Sequence, residues 1–369
     1  MNAAGDRIVV KVGTSTLTDE SGRIDRKYLD ALAAQLGALR LTGQRVVLVT
    51  SGAISAGIET LSLSERPTEM SDLQATASVG QAALIATWAE ALGRHGMTVG
   101  QVLLTRHDTA HRQQYLLACQ TLERLLAMDV VPVVNENDTT AVDEIRFGDN
   151  DTLAALVGIM VRAELVVLLS DIEGVFDADP RSDLGATLVE HVDRVTDDLA
   201  TAAGGPGSPH GSGGMATKID AARVLMKAGI PMVVCDGRRE GVVIDAAAGR
   251  PVGTYFAPRD ATVGGRKLWI AYGRATAGAI TVDEGARRAV VERGGSLLPA
   301  GVVRVTGVFS AGDAVDLMGP DGVVFARGLA DMSSSDADAV KGTTSAAIAV
   351  ANPALAGVEV VHRDRLVIL

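Results

Sequence analysis

Short β-branched runs alternate with helical patterns from the N-terminus onward. RIVVKVG (7–13), RVVLVTSG (45–52), TVGQVLLT (98–105), VVPVVNEND (130–138) and ELVVLLSD (164–171) are separated by helical patterns near 25–41, 70–93, 108–127 and 149–162. Strands this continuously apolar are covered on both faces, and strands joined through helices run parallel. The pattern therefore predicts a three-layer αβα sandwich with a mostly parallel central sheet. It closes with a Gly/Pro loop at 203–214, a helix, the strand PMVVCDG (231–237) and an end near residue 258. Aromatics make up only 3% of the chain against 47% hydrophobic residues, so Ala, Val, Leu and Ile must build the core.

Beyond that point the period changes. PRDATVGGRK (258–267) is polar and rich in turn formers, and short apolar runs broken by Gly and Asp follow. This predicts two domains, residues 1–258 and 276–369, joined by a linker at 259–275, the second a small β-barrel. The net charge of −11, with eight Lys/Arg against eleven Asp/Glu from residue 275 onward, disfavours a nucleic-acid-coating or anionic-membrane-binding role. Apolar runs such as LAALVGIMV (153–161) are well short of the ~20 residues a bilayer span requires. MNAAGDRIVVKVG has no basic flank followed by an apolar stretch and is read as a mature cytoplasmic start. Cys119 and Cys235 lie far apart in apolar segments, which fits two buried free thiols.

In open parallel sheets, ligands collect where strand carboxyl ends meet helix N-termini. KVGTST (11–16) ends the first strand there. Lys11 interrupts an apolar strand, which is costly unless its head reaches a cavity or a partner; an ordinary turn with an exposed lysine is the alternative. TSGAISAG (50–57) follows the second strand and offers Ser51 and small-residue backbone to a carboxylate, or merely a tight turn. NENDTT (135–140) and GDNDTLAAL (148–156) crowd Asn135, Asp138, Asn150 and Asp151 at the same end, a density that helix capping alone does not explain. SDIEGVF (170–176) ends the fifth strand as a further nucleotide-side loop.

GSGGMATK (211–218) opens the late helix. It is not a P-loop, because Thr217 precedes Lys218 and no lysine in the chain follows a glycine. It also permits a dinucleotide reading through Gly211, Gly213 and Ala216, but the glycines follow a loop where that motif needs a buried strand. HDTAH (107–111) imitates a zinc pair, yet Asp108 reads as a helix cap that leaves His107 outside the helix.

Taken in order and spacing, KVGTST, TSGAISAG, NENDTT, FGDNDTLAA, LLSDIEGVF and SPHGSGGMATKIDAARVLMKAG resemble the glutamate-phosphorylating branch of the amino-acid kinase family across residues 5 to 258, and the tail from about 276 resembles a PUA domain. The resemblance implies transfer of the γ-phosphate of ATP, with Mg2+, to the side-chain carboxylate of L-glutamate, the opening step of proline biosynthesis. It implies that Lys11 and the loop of Ser212, Gly213, Gly214, Met215, Ala216, Thr217 and Lys218 meet ATP phosphates, and that Ser170 and Asp171 add a nucleotide contact. Ser51, Asp138 and Asn150 would take glutamate. In that setting Lys11 and Lys218 can clamp the moving phosphoryl group while Asp151 holds both lysine heads. The expected assembly is a homo-oligomer that free proline inhibits. Two alternatives stay open: a sister kinase acting on another amino acid, carbamate or uridylate, and a PUA-type RNA-binding protein.

Overall fold

The computed structural model describes residues 6–105, 108, 112–140, 150–178, 180, 183, 185–196, 199, 214–259 and 276–369. They divide into two compact units, Met1–Thr262 and Val263–Leu369. In the first, strands β1 (Arg7–Val12), β2 (Arg45–Thr50), β3 (Thr98–Leu104), β4 (Val130–Glu136), β5 (Leu165–Ser170), β6 (His191–Val192), β7 (Met232–Asp236) and β8 (Thr254–Phe256) form one sheet in the order β3-β4-β2-β1-β5-β7-β8-β6. Its pairings are parallel except β7 with β8. The predicted mostly parallel sandwich is what forms.

Helices α1 (Thr14–Leu17), α2 (Arg26–Leu41), α3 (Ala53–Leu61), α4 (Met70–Gly93), α5 (Arg112–Ala127), α6 (Asn150–Val161), α7 (Met215–Lys227) and α8 (Val242–Ala247) connect the strands. Side chains alternate across a strand. In β1, Ile8, Val10 and Val12 therefore enter the core shared with Leu29 and Leu36 of α2, Trp88 of α4 and Val243 of α8. Val9 and Lys11 face the opposite side, where α6 packs on β1, β2, β4 and β5 and α7 packs on α6 and β7. All six residues of β1 are buried, Lys11 among them at 2% exposure.

Two helices position the second strand's carboxyl end: α4, which the helical pattern at 70–93 predicts, and the short α3, which it does not reveal. The turn before α3 needs Gly52, whose φ is 101° and where a Cβ would come within 2.9 Å of Leu17. Helix α3 then crosses α4 at backbone contact: a Cβ on Gly57 would lie 2.0 Å from the Thr76 carbonyl, and one on Gly80 1.8 Å from the Ala53 carbonyl. Backbone cannot yield as a side chain does, so Gly80→Ala should cost about 3 kcal/mol or more. Urea denaturation should show a lower midpoint with unchanged slope; a loss under about 0.5 kcal/mol would mean that the two helices part freely.

Thr105 and Asp108 correct one expectation. The Asp108 carboxylate accepts from the Thr105 N–H at 2.8 Å, and the Asp108 N–H donates to the Thr105 hydroxyl at 3.1 Å. This reciprocal pair is a capping box, in which Thr105 is the cap and Asp108 sits three residues in. His107 and His111 lie outside the described residues. Both cysteines are free, but only Cys235 is buried, its thiol pushed up to about 12 by desolvation; Cys119 is partly exposed, its thiol also raised by burial.

In the second unit, β9 (Gly278–Val282), β10 (Val302–Gly307), β11 (Ala314–Met318), β12 (Val324–Leu329) and β13 (Leu366–Ile368) form a sheet in the order β10-β9-β11-β12-β13. Among the described residues this ladder does not close on itself, so the expected barrel is realised as an open five-stranded sheet. It also carries helices α9 (Glu284–Arg293), α10 (Ser334–Val340) and α11 (Ser345–Ala351). Its core gathers Ile280, Val282, Leu297, Val315, Leu317 and Val360.

Candidate active site

The carboxyl edge of the large sheet brings together residues that are far apart in sequence. Lys11 leaves β1 on the α6 and α7 face with its stem packed among apolar strands, and its Nζ meets Asp151 Oδ1 at 2.7 Å. Asp151 stands in the first turn of α6, where the helix dipole favours a carboxylate, and it is fully buried. Its other oxygen accepts from Lys218 Nζ at 3.0 Å and from the Thr217 hydroxyl at 3.0 Å. Both Thr217 and Lys218 belong to the first turn of α7, capped by Gly214, whose carbonyl is 2.8 Å from the Thr217 hydroxyl. One buried carboxylate thus fixes two ammonium groups that arrive from β1 and from α7. A Cβ on Gly13 would come within 3.2 Å of Lys11 Nζ, so the turn after β1 roofs the same lysine.

The neighbouring residue faces elsewhere. Asn150 Nδ2 lies 2.7 Å from the Thr50 carbonyl, 2.9 Å from the Ser51 hydroxyl and 2.8 Å from Asn135 Oδ1. Asn135 in turn donates to Gln81 Oε1 at 2.8 Å, and the Trp88 indole donates to the Thr50 hydroxyl at 3.1 Å. This polar set joins the ends of β2 and β4 to α4 and α6. Adjacent positions on a helix point about 100° apart, so the first turn of α6 sends Asp151 to the cationic cluster and Asn150 to the amide cluster.

Of the residues singled out from sequence, the structure unites Lys11, Asp151, Thr217 and Lys218 in one cluster and Ser51 and Asn150 in the other. Asp138 follows β4 and is half-buried. Ser170 is buried at the end of β5, where its hydroxyl reaches the exposed Asp171 at 3.3 Å and its carbonyl accepts from the Gly237 N–H at 2.8 Å. Met215 and Ala216 open α7; Ser212 and Gly213 lie outside the described residues.

Sequence reasoning missed Gln81, Thr50, Trp88 and Arg238. Arg238 donates to the carbonyls of Thr16 at 3.3 Å and Thr18 at 2.7 Å and pairs with Asp25 at 3.4 Å, tying the α1 turn to the end of β7. The polar DGR triplet ending β7 was its only signal, whereas Gln81 is one ordinary polar position on a long helix.

Residues 6–236 match the Amino acid kinase family, and residues 278–350 match the PUA domain. A glutamate 5-kinase of Pelobacter propionicus is 46% identical over 363 residues, covering 98% of this chain and 97% of that protein. A glutamate 5-kinase of Streptomyces avermitilis is 47% identical over 369 residues, covering 100% of this chain and 97% of its counterpart. That of Caldanaerobacter subterraneus subsp. tengcongensis is 44% identical, covering 98% of each. With similarity of this degree running nearly end to end, the chain belongs to the amino acid kinase family, in its glutamate 5-kinase branch with a C-terminal PUA domain.

Proposed function

We propose that the chain transfers the γ-phosphate of ATP to the side-chain carboxylate of L-glutamate, giving L-glutamyl 5-phosphate and ADP, the first step of proline biosynthesis. The observation that carries this reading is the first turn of α6, where Asn150 joins Ser51 and the next residue, Asp151, joins both lysines. One helix end therefore sets an amide-lined acceptor side beside a cationic side. Bringing two anions together for phosphoryl transfer needs that pairing.

Lys11 and Lys218 flank the moving phosphoryl group, and Asp151 holds their heads apart at a fixed spacing. Ser212 to Thr217 line the ATP phosphates, while Ser170 and Asp171 meet the nucleoside portion. Ser51, Asp138 and Asn150 take glutamate, with Asp138 pairing the α-ammonium and the Ser51 turn receiving the α-carboxylate. A side-chain carboxylate with a pKa of about 4.3 is already ionised at neutral pH, so the nucleophile needs no general base. Mg2+ fits as a companion of ATP: the described residues contain no group of three or more His, Cys, Asp or Glu able to cage a metal, and Mg2+ is commonly held through substrate phosphates and water. When bound it would neutralise phosphate charge. No helix among the described residues is long and apolar enough to cross a membrane.

ADP release should therefore require free L-glutamate. N-acetylglutamate offers no ammonium to Asp138, and loss of that charge pairing should lower kcat/KM about 5- to 150-fold, equivalent to about 1–3 kcal/mol. Free proline, with the same α-carboxylate and a secondary ammonium, should raise the apparent glutamate KM in the same assay. A coupled ADP-release measurement across L-glutamate, aspartate, N-acetylglutamate, carbamate and UMP tests the reading. Equal turnover on N-acetylglutamate, or a preference for UMP, would replace the acceptor assignment.

A further inference from the structure

The amide cluster holds a chain whose direction is fixed at two points by the backbone. A carbonyl only accepts and a backbone N–H only donates. The Thr50 carbonyl, 2.7 Å from the Asn150 amide, must therefore face its NH2 group. The Glu136 N–H, 2.9 Å from the Asn135 amide, must face its oxygen. Asn135 then accepts from Asn150 through Oδ1, which turns its own NH2 toward α4, where Gln81 Oε1 receives it at 2.8 Å. The order is forced along its length: Asn150 donates to Asn135, and Asn135 donates to Gln81. The Asn150 NH2 is already directed at Thr50, Ser51 and Asn135. Its carbonyl oxygen receives none of these contacts and is the part of the side chain turned away from them.

We infer that Gln81 is a positioning residue for the acceptor substrate: the backbone sets which way each amide faces, and Gln81, by accepting from Asn135, holds Asn135 Oδ1 against Asn150 and so keeps the Asn150 carbonyl oxygen in place as an acceptor for the substrate's α-ammonium. The inference rests on the reading that the Ser51 and Asn150 side takes glutamate. Gln81 is well suited to the task, since α4 is seated against α3 at backbone contact through Gly57 and Gly80 and its side-chain oxygen is thereby held at a fixed height. Without it, the Asn135 NH2 loses its partner in a partly buried setting, a cost that rotation of Asn135 relieves by weakening the contact to Asn150.

The test compares Gln81→Leu and Gln81→Glu in the full chain, with folding checked by thermal melts. The leucine variant removes the acceptor; the glutamate variant keeps a carboxyl oxygen in its place. In Gln81→Leu the L-glutamate KM should rise about tenfold, with kcat and the ATP KM within about twofold of wild type, and Gln81→Glu should restore the KM. The distinguishing readout is glutarate, which has both carboxylates but no α-ammonium, measured as a competitive inhibitor against glutamate. Its inhibition constant should stay within about twofold in Gln81→Leu, because only the ammonium contact is lost. A parallel loss of glutarate and glutamate binding would show general damage to the pocket and overturn the positioning role, as would an unchanged glutamate KM. If the leucine variant does not fold, Gln81→Glu and Gln81→Met carry the same comparison. A wild-type enzyme inert toward glutamate overturns the substrate reading and this inference together, whereas an active wild type with an unaffected Gln81→Leu overturns the inference alone.

Discussion

Lys218→Ala and Lys11→Ala are each expected to lower kcat roughly 10²–10³-fold while changing the glutamate KM by no more than about threefold. Both ammonium groups are buried, with Lys11 at 2% and Lys218 at 6% exposure, so they act where water screens little. Charge on the transferring group shifts toward the bridging and equatorial oxygens as transfer proceeds. Donors fixed in advance bind that distribution better than the ground state, and the loss falls on kcat. Ser51→Ala is the contrast, since its hydroxyl belongs to the amide cluster and its removal should appear mainly in the glutamate KM. Steady-state kinetics on variants with native circular dichroism decides the matter: near-normal kcat in both lysine variants would leave the glycine loop as nothing more than a helix start.

Asp151→Asn should be the most destabilising single change at the site. Its carboxylate is fully buried and accepts from Lys11, Lys218 and Thr217. Removing one partner of a buried ion pair costs about 3–5 kcal/mol, because the remaining charges stay desolvated. Asparagine keeps the shape and one acceptor oxygen but not the charge, so the two ammonium groups repel and drift. Urea unfolding should show the stability loss, and kcat measured where the variant is fully folded should fall about 10²-fold through misplaced lysines. A variant as stable as wild type to within about 1 kcal/mol would mean that the carboxylate does not organise the pair.

Much of this was legible in the sequence, for identifiable reasons. Strands such as VVPVV and LVVLL announce themselves as runs buried on both faces, and Lys11 stood out because a lysine inside such a run needs a destination. Asp151 supplied it, three strands and several helices away. Helix α3 was not legible, because the face it buries is built of the small residues Ala53, Ala56 and Gly57 while Leu61 stays exposed; it is seated by the crossing with α4 at Gly57 and Gly80. In the second unit α9 was missed for a related reason, since Val290 is its only buried residue, although Asp283 caps it by accepting from the Ala286 N–H at 2.7 Å and Gly294 ends it at a φ of 61°. The amide chain through Gln81 was invisible because it depends on the distance between α4 and the end of β4, which no local pattern encodes.

If a side-chain carboxylate receives the phosphoryl group, the product is an acyl phosphate, and trapping it is the most direct test. An acyl phosphate reacts with hydroxylamine to give a hydroxamate and free phosphate, whereas phosphate monoesters do not. With L-glutamate, MgATP and hydroxylamine, the wild-type chain should form γ-glutamyl hydroxamate in step with ADP, and Lys11→Ala and Lys218→Ala should lose both products together. ADP release with no hydroxamate, or hydroxamate formation that both lysine variants sustain at the wild-type rate, would contradict the account.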